Sequence, residues 1–270
     1  MNYATTFAAL ILLAVPAFAQ ERSAKPVELR VDTSLFIADQ SAPVSHNVTF
    51  FTDGHVYDFG KTSEKDAATE ITVYDFRTRT FTLLEDKRKV KFSISQSRLV
   101  QLTEAMRAET AQDPKLKIFA TAEYTETADN ASGWTTVNGG LIKYRFKGKS
   151  PRDIRIVDSY CDFLDQYTLL AVLDPRRMPP FPRLRLNQAI KKQRVIPGEI
   201  RLDIRPMPPM KETVSMKSKH TFVEHLSASD KEQIESVKAK ISEYELVTLA
   251  SYKRIENTGE TTAKTPEPEK

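Results

Sequence analysis

The sequence predicts an α+β fold: a curved antiparallel β-sheet with three to four helices packed on one side, followed by a disordered C-terminal tail. Three observations predict it. The N-terminal half alternates apolar and polar residues with period two, the signature of half-buried strands. That period gives way to helical spacing at a few separate places. The last residues, 257–270, contain no large apolar side chain, so they have nothing to bury.

Residues 27–35 place Val27, Leu29, Val31 and Leu35 on one strand face and Glu28, Arg30 and Asp32 on the other. Strands at 47–51 and 55–59 flank Asp53-Gly54, a pair suited to a tight hairpin turn. A second hairpin joins 70–76 to 80–84 around Arg77-Thr78-Arg79, and Val90, Phe92 and Ile94 alternate with Lys89, Lys91 and Ser93. Ser95 or Ser97 then caps a helix carrying Leu99, Leu102 and Met106, which ends at Asp113-Pro114. Strands are expected at 117–125 and 141–146 around a polar loop, 129–140, and a short one at 154–157. Asp158 or Ser159 caps a helix with Phe163, Leu164, Tyr167, Leu170 and Ala171, stopped by Asp174-Pro175.

The next stretch differs in composition. Eight of the fifteen prolines fall between positions 175 and 209, which reads as a rigid surface crossing or linker around a short basic helix, 184–194, and a strand, 199–204. A strand at 220–225 follows. Ser229-Asp230-Lys231-Glu232 has the pattern of a capping box opening a helix with Ile234, Val237, Ile241 and Tyr244. Residues 245–255 fit helix or strand equally.

The chain therefore divides into an expected signal peptide, 1–19; a sheet with helices, 20–174; the basic proline-rich segment, 175–219; a C-terminal strand and helix of the same domain, 220–256; and the tail, 257–270. The signal reading rests on the apolar run 7–15, too short to span a bilayer, then Pro16 and the small residues of Ala17-Phe18-Ala19, which place cleavage before Gln20. Its n-region departs from the pattern in having no Lys or Arg. No Cys follows the apolar run and no later stretch approaches a transmembrane length. An exported, periplasmic or secreted chain is expected, without a lipid anchor or a membrane-spanning segment once cleaved.

The single cysteine, Cys161, excludes an intramolecular disulfide. It is either a small buried hydrophobe or, near an expected helix start, a thiol activated by the helix dipole. Charge is nearly balanced, with 40 Lys and Arg against 36 Asp and Glu, but positions 176–219 hold twelve basic residues and only Glu199, Asp203 and Glu212. Arg176, Arg177, Arg183, Arg185, Lys191, Lys192 and Arg194 are accordingly a candidate contact surface for an anionic envelope component. The alternative is an ordinary solvated charged face. Nucleic acid is a poor partner for an exported protein, and the stretch has one aromatic, Phe181, for stacking.

Motifs for chemistry are absent as written. His220 and His225 are five apart, on opposite faces of a strand, and the position that would complete an inverted zinc-protease helix is Thr221. There is no Gly-x-Ser-x-Gly, and Gly139-Gly140 lacks the Lys-Ser or Lys-Thr of a phosphate loop. No metal, cofactor or catalytic residue is assigned. Asn47-Val48-Thr49 and Asn130-Ala131-Ser132 match the glycosylation acceptor pattern.

The segment Phe51-Thr-Asp-Gly-His-Val-Tyr-Asp-Phe59, followed by Ile71-Thr-Val-Tyr-Asp-Phe-Arg-Thr-Arg-Thr-Phe-Thr-Leu-Leu84, resembles the strand pair of periplasmic lipoprotein-carrier-like (LolA-like) proteins. The resemblance spans about 50 residues of turn signals and implies a half-open sheet wrapped round helices, with an apolar cavity for acyl chains. This chain is longer than such carriers, and its basic proline-rich segment has no counterpart in that pattern. Three readings follow. A non-catalytic binding protein would have a cavity lined by Leu29, Val31, Phe50, Phe92 or their neighbours and take an apolar ligand. An envelope interaction domain would have no such pocket. An enzyme assembled from distant residues would show a cleft involving His55, His220 or His225.

Overall fold

Period-two alternation becomes a meander of six strands: β1 (Leu29–Ile37), β2 (Ser45–Phe51), β3 (His55–Lys61), β4 (Glu70–Asp75), β5 (Thr80–Glu85) and β6 (Val90–Ser95). Each pairs antiparallel with its sequence neighbour. The tight turns rest on left-handed backbone: Gly54 between β2 and β3 has φ 88°, and Arg79 and Lys89 take φ 53° and 52° in the next two hairpins. The computed structural model describes residues 27–254 except 39, 53, 63–65, 69, 175–176 and 207–210. The expected signal peptide, the expected tail and Arg176 lie outside the described residues.

A second meander contains β7 (Thr125–Asp129), β8 (Trp134–Asn138), β9 (Ile142–Lys149), β10 (Ile196–Ile204) and β11 (Val214–Val223). β1 joins the two halves by pairing with β11 from Arg30 opposite Val223 to Ile37 opposite Met216. β12 (Glu245–Leu246) adds parallel to β6, giving a 12-stranded sheet in the order β12-β6-β5-β4-β3-β2-β1-β11-β10-β9-β8-β7. Its β7 edge is fully exposed, but Glu126 and Asp129 put charge on it, which discourages strand addition.

One face of the sheet carries α1 (Gln96–Gln112), α2 (Lys117–Thr121), α3 (Ile154–Leu169) with a 3₁₀ turn at Leu170–Leu173, and α4 (Phe181–Gln193). They share a core with Leu29, Val31, Phe51, Val56, Phe81 and Phe146 of the strands, through Leu99, Tyr160, Phe163, Leu186 and Ile190. This is the expected helical layer. The opposite face has a helix too. α5 (Ala228–Glu243) lays Ile234 and Val237 on Val48, Phe50, Tyr57, Phe59, Ile71 and Val73. The strands there are buried on both faces, as the unbroken burial of residues 48–51, 56–59 and 71–74 requires. α6 (Leu249–Tyr252) returns to the first face, where Leu249 and Tyr252 join its core.

Several local expectations change. Residues 154–157 are not a strand but the first turn of α3, because Asp153 accepts from the Arg155 N–H at 2.9 Å and caps it. Ile156, Val157, Tyr160 and Cys161 then fall on one buried helical face. Cys161 is consequently far from the helix start, and burial pushes its thiol up to about 12, which removes the activated-thiol reading. Residues 117–121 are helical rather than extended, and β8 lies within the expected loop 129–140. Within the proline-rich segment the expected helix and strand are both present, as α4 and β10. Pro182 sits in the first turn of α4, where a missing N–H costs nothing, and β10 lies inside the sheet between β9 and β11.

The capping box of α5 uses Ser227 and Asp230, two residues before the expected Ser229. Asp230 is 2% exposed. It accepts from the Ser227 backbone N–H at 2.9 Å and from Arg30 Nη1 at 2.8 Å, so one carboxylate both caps α5 and ties it to β1. Arg30 also makes a bidentate pair with Asp32. Two predictions follow from this packing. Asp230→Ala should lower urea-denaturation stability by about 2–4 kcal/mol, since it removes a cap and leaves a guanidinium short of its partner; Ser227→Ala should cost only about 1 kcal/mol. A loss at Asp230 no larger than at Ser227 would contradict the clamp. Native Cys161 should resist iodoacetamide and react only when the chain is unfolded; rapid native labelling would contradict its burial.

Candidate ligand cavity

Between the helical layer and the sheet lies a hollow of about 370 Å³. Its apolar lining is Val31 and Phe51 from the sheet, Phe163 and Leu164 from α3, Ala171 from the turn after it, and Met178 with Pro179 and Pro180 before α4. Of the residues expected to line a cavity, Val31 does. Leu29 is packed in the core. Phe50 points to the opposite face against Phe59, and its neighbour Phe51 takes the lining position. Phe92 packs near Tyr252, with ring centroids 6.1 Å apart.

The sheet side of the hollow is polar. Thr33, Asn47, Thr49, Asp58 and His220 all face it, since each belongs to the concave set of its strand's alternation. Asp58, 5% exposed, accepts from Thr49 Oγ1 at 2.6 Å, Asn47 Nδ2 at 3.1 Å and Tyr167 Oη at 3.0 Å. Burial pushes its pKa up, and these three hydrogen bonds pull it part of the way back. The Asp58 charge, then burial, raise the Tyr167 phenol well above its usual range, so it stays a donor. This bond is a direct polar link from β3 to α3. Beyond it, a second hollow of about 340 Å³ shares Tyr167 and Arg177 and reaches Leu249 and Tyr252 of α6.

His220 is half-buried on β11, with Thr33 Oγ1 3.0 Å from Nδ1 and Ser218 Oγ 2.9 Å from Nε2. A neutral ring satisfies both contacts, donating one and accepting the other. Burial, then the nearby Arg183 charge, push its pKa down to about 3. The remaining histidines do not join it. His55 lies 3.8 Å from Asp75 at the surface, while His46 and His225 line a polar groove on the opposite face with Arg30, Asp32 and Asp230. The opposite facing of His220 and His225 is as their spacing implied.

The candidate basic residues divide in two. Lys191 lies 2.9 Å from Asp162, Lys192 3.3 Å from Glu126 and Arg194 3.8 Å from Asp158, so these three are partnered by α3 and β7. Arg185 reaches Gln188 Oε1 at 3.2 Å. Arg177 and Arg183 instead line the hollow. Arg177 is 3.8 Å from Asp174, and Arg183 Nε donates to Asn187 Oδ1 at 3.1 Å. Asn187, itself buried, donates to Thr168 Oγ1 at 3.1 Å. Among the described residues no group of three or more His, Cys, Asp and Glu is placed to hold a metal ion, and no helix is long and apolar enough to cross a membrane.

Sequence reasoning singled out none of Asp58, Asn47, Thr49 and Thr33, because no motif marks them and only the placement of α3 makes their face an interior.

The unfolded chain protonates His220 near pH 6.5 and the native site resists it to about 3, so its contribution to stability is complete above 6.5 and is lost as pH falls toward 3. His220→Gln should therefore lose less stability than the unaltered chain between pH 7 and pH 4, by about 1–3 kcal/mol in denaturant titrations. Equal losses would contradict a neutral, hydrogen-bonded ring. The chain matches no protein-family model, and no curated protein matches it, so the reading of this cavity rests on its own chemistry.

Proposed function

We propose that this chain is an exported, non-catalytic binding protein that holds an apolar or lipid ligand in the hollow under its sheet. The observation that carries this reading is the hollow itself. Its volume, about 370 Å³, lies in the range of roughly 300–1,000 Å³ found for small-molecule sites. Its walls pair an apolar helix side with a few convergent polar groups, the usual composition of such sites. An open antiparallel sheet with helices packed on the face that bears the hollow is also the kind of architecture that the resemblance to periplasmic lipoprotein-carrier-like proteins implies. The apolar run 7–15 and Ala17-Phe18-Ala19 support export.

An interaction domain without a pocket finds less support, because its defining feature is a filled space between sheet and helices. So does an enzyme. Asp58 spends both oxygens on three internal donors, and both His220 nitrogens are engaged by hydroxyls. Neither is poised to take a proton from a substrate.

A fluorescent fatty acid should bind saturably, at one per chain, and be displaced by unlabelled fatty acid. Ala171→Trp, which fills the hollow from the turn after α3, should weaken binding about tenfold or more, by roughly the burial of a few methylenes. Circular dichroism and the melting temperature of that variant keep misfolding from passing for a filled site. A linear, non-saturating signal unaffected by Ala171→Trp would contradict the proposal.

A further inference from the structure

Arg183 is the feature of the hollow that an apolar ligand leaves unused. It stands in the first turn of α4, half-buried, and its only hydrogen bond among the described residues runs from Nε to Asn187. The two terminal amino groups of the guanidinium have no carboxylate partner there, although Lys191, Lys192 and Arg194 further along the same segment each have one. Arg183 is also held in place. Asn187 orients its Nε and is fixed in turn by Thr168, whose hydroxyl donates to the Leu164 carbonyl at 2.7 Å. A planar donor fork with one edge anchored and the other directed at a cavity is the geometry that receives a carboxylate or phosphate in bidentate fashion.

The surroundings favour an anion at this end. The Arg183 charge acts on Tyr160 and His220 across the hollow, neither of which bears a negative charge, and on Asp165, which is hydrogen-bonded to Asn187 and is not among the groups lining the hollow. The one carboxylate lining the hollow, Asp58, is engaged by Thr49, Asn47 and Tyr167. Size limits the rest of the ligand. At roughly 30 Å³ for each water-sized group, about 370 Å³ takes on the order of a dozen such groups, enough for one chain of medium length inside the hollow.

We propose that the cavity selects a single-chain amphiphile with an anionic head, its carboxylate or phosphate seated on Arg183 and its chain lying against the apolar lining of Val31, Phe51, Leu164 and Met178. This rests on the binding-protein reading and narrows it. The test compares dodecanoate with dodecanol, equal in chain and different in head, by competition against the fluorescent fatty acid on the full chain. Dodecanoate should bind about tenfold or more tightly, the size expected of a charge-assisted pair in a partly dry site. Arg183→Met should collapse that ratio toward one, and Arg183→Lys should restore part of it. Lys238→Met, which removes the same charge from the opposite face, should leave the ratio as it was.

Equal binding of the two probes by the unaltered chain would overturn the anionic head and leave the carrier reading standing. A ratio that survives Arg183→Met would overturn the role of Arg183. Displacement of the probe by inorganic phosphate at the concentration of dodecanoate would make this a free-anion site and overturn the amphiphile. Failure of both dodecyl probes to bind would overturn this proposal together with the reading beneath it.

Discussion

A carboxylate withdrawn from water must find its hydrogen bonds inside the protein, and Asp58 finds three of them across two layers of structure. Thr49 and Asn47 reach it from β2, and Tyr167 reaches it from α3. The hollow depends on this arrangement. Tyr160 and Phe163 already pack on Phe51; were the turn that carries Leu164 and Thr168 also to settle onto the sheet, it would press on Thr33, Asn47, Thr49 and His220 and part their side-chain hydrogen bonds. Each such loss costs about 1–3 kcal/mol, which is comparable with the gain from burying one more apolar side chain. The helix thus packs on the sheet through Tyr160 and Phe163, is tied to it by Tyr167, and leaves the hollow beside Leu164 and Thr168.

The rest of the architecture holds that geometry in place. β1 is paired on both edges, with β2 and β11, so the strands bearing Asn47, Thr49, Asp58 and His220 form one continuous surface. α5 backs the same strands from the opposite face and is clamped there by Arg30 and Asp230. Strands buried on both faces cannot slip by one residue without moving polar side chains into one core or the other, which pins the register. The short β12 covers the β6 edge and carries the chain around to α6, where Tyr252 closes the far hollow.

Much of this fold was legible in the sequence, for reasons that can be named residue by residue. Alternation through Leu29, Val31 and Asp32, the turn at Gly54 and the Ser95 cap each express a strong local preference that the tertiary structure keeps. The short segment 154–157 was illegible because four residues of alternation fit a strand and a helix turn alike, and the deciding group, the Asp153 side chain, lies outside the pattern. The helix α5 was legible, but its placement on the second face was hidden for a related reason: a run such as Val73-Tyr74 in β4 records burial without recording which layer causes it. The cavity was the least legible part. Threonine, asparagine and aspartate on alternate strand positions look solvated from sequence, and only the placement of α3 makes that face an interior. The basic segment was visible as a charge count, yet its pairing with Asp162, Glu126 and Asp158, and the isolation of Arg183, depend on contacts distant in the chain.

The most direct test of the central claim is to locate a ligand in the hollow. A crystal structure of the full chain loaded with a dodecanoate brominated near its methyl end should show anomalous density for bromine within the hollow, against its apolar lining of Val31, Phe51, Leu164 and Met178, with the carboxylate at Arg183. A hollow containing only ordered water, or closed by α3 resting on Thr49 and His220, with bromine absent or scattered over the surface, would contradict it.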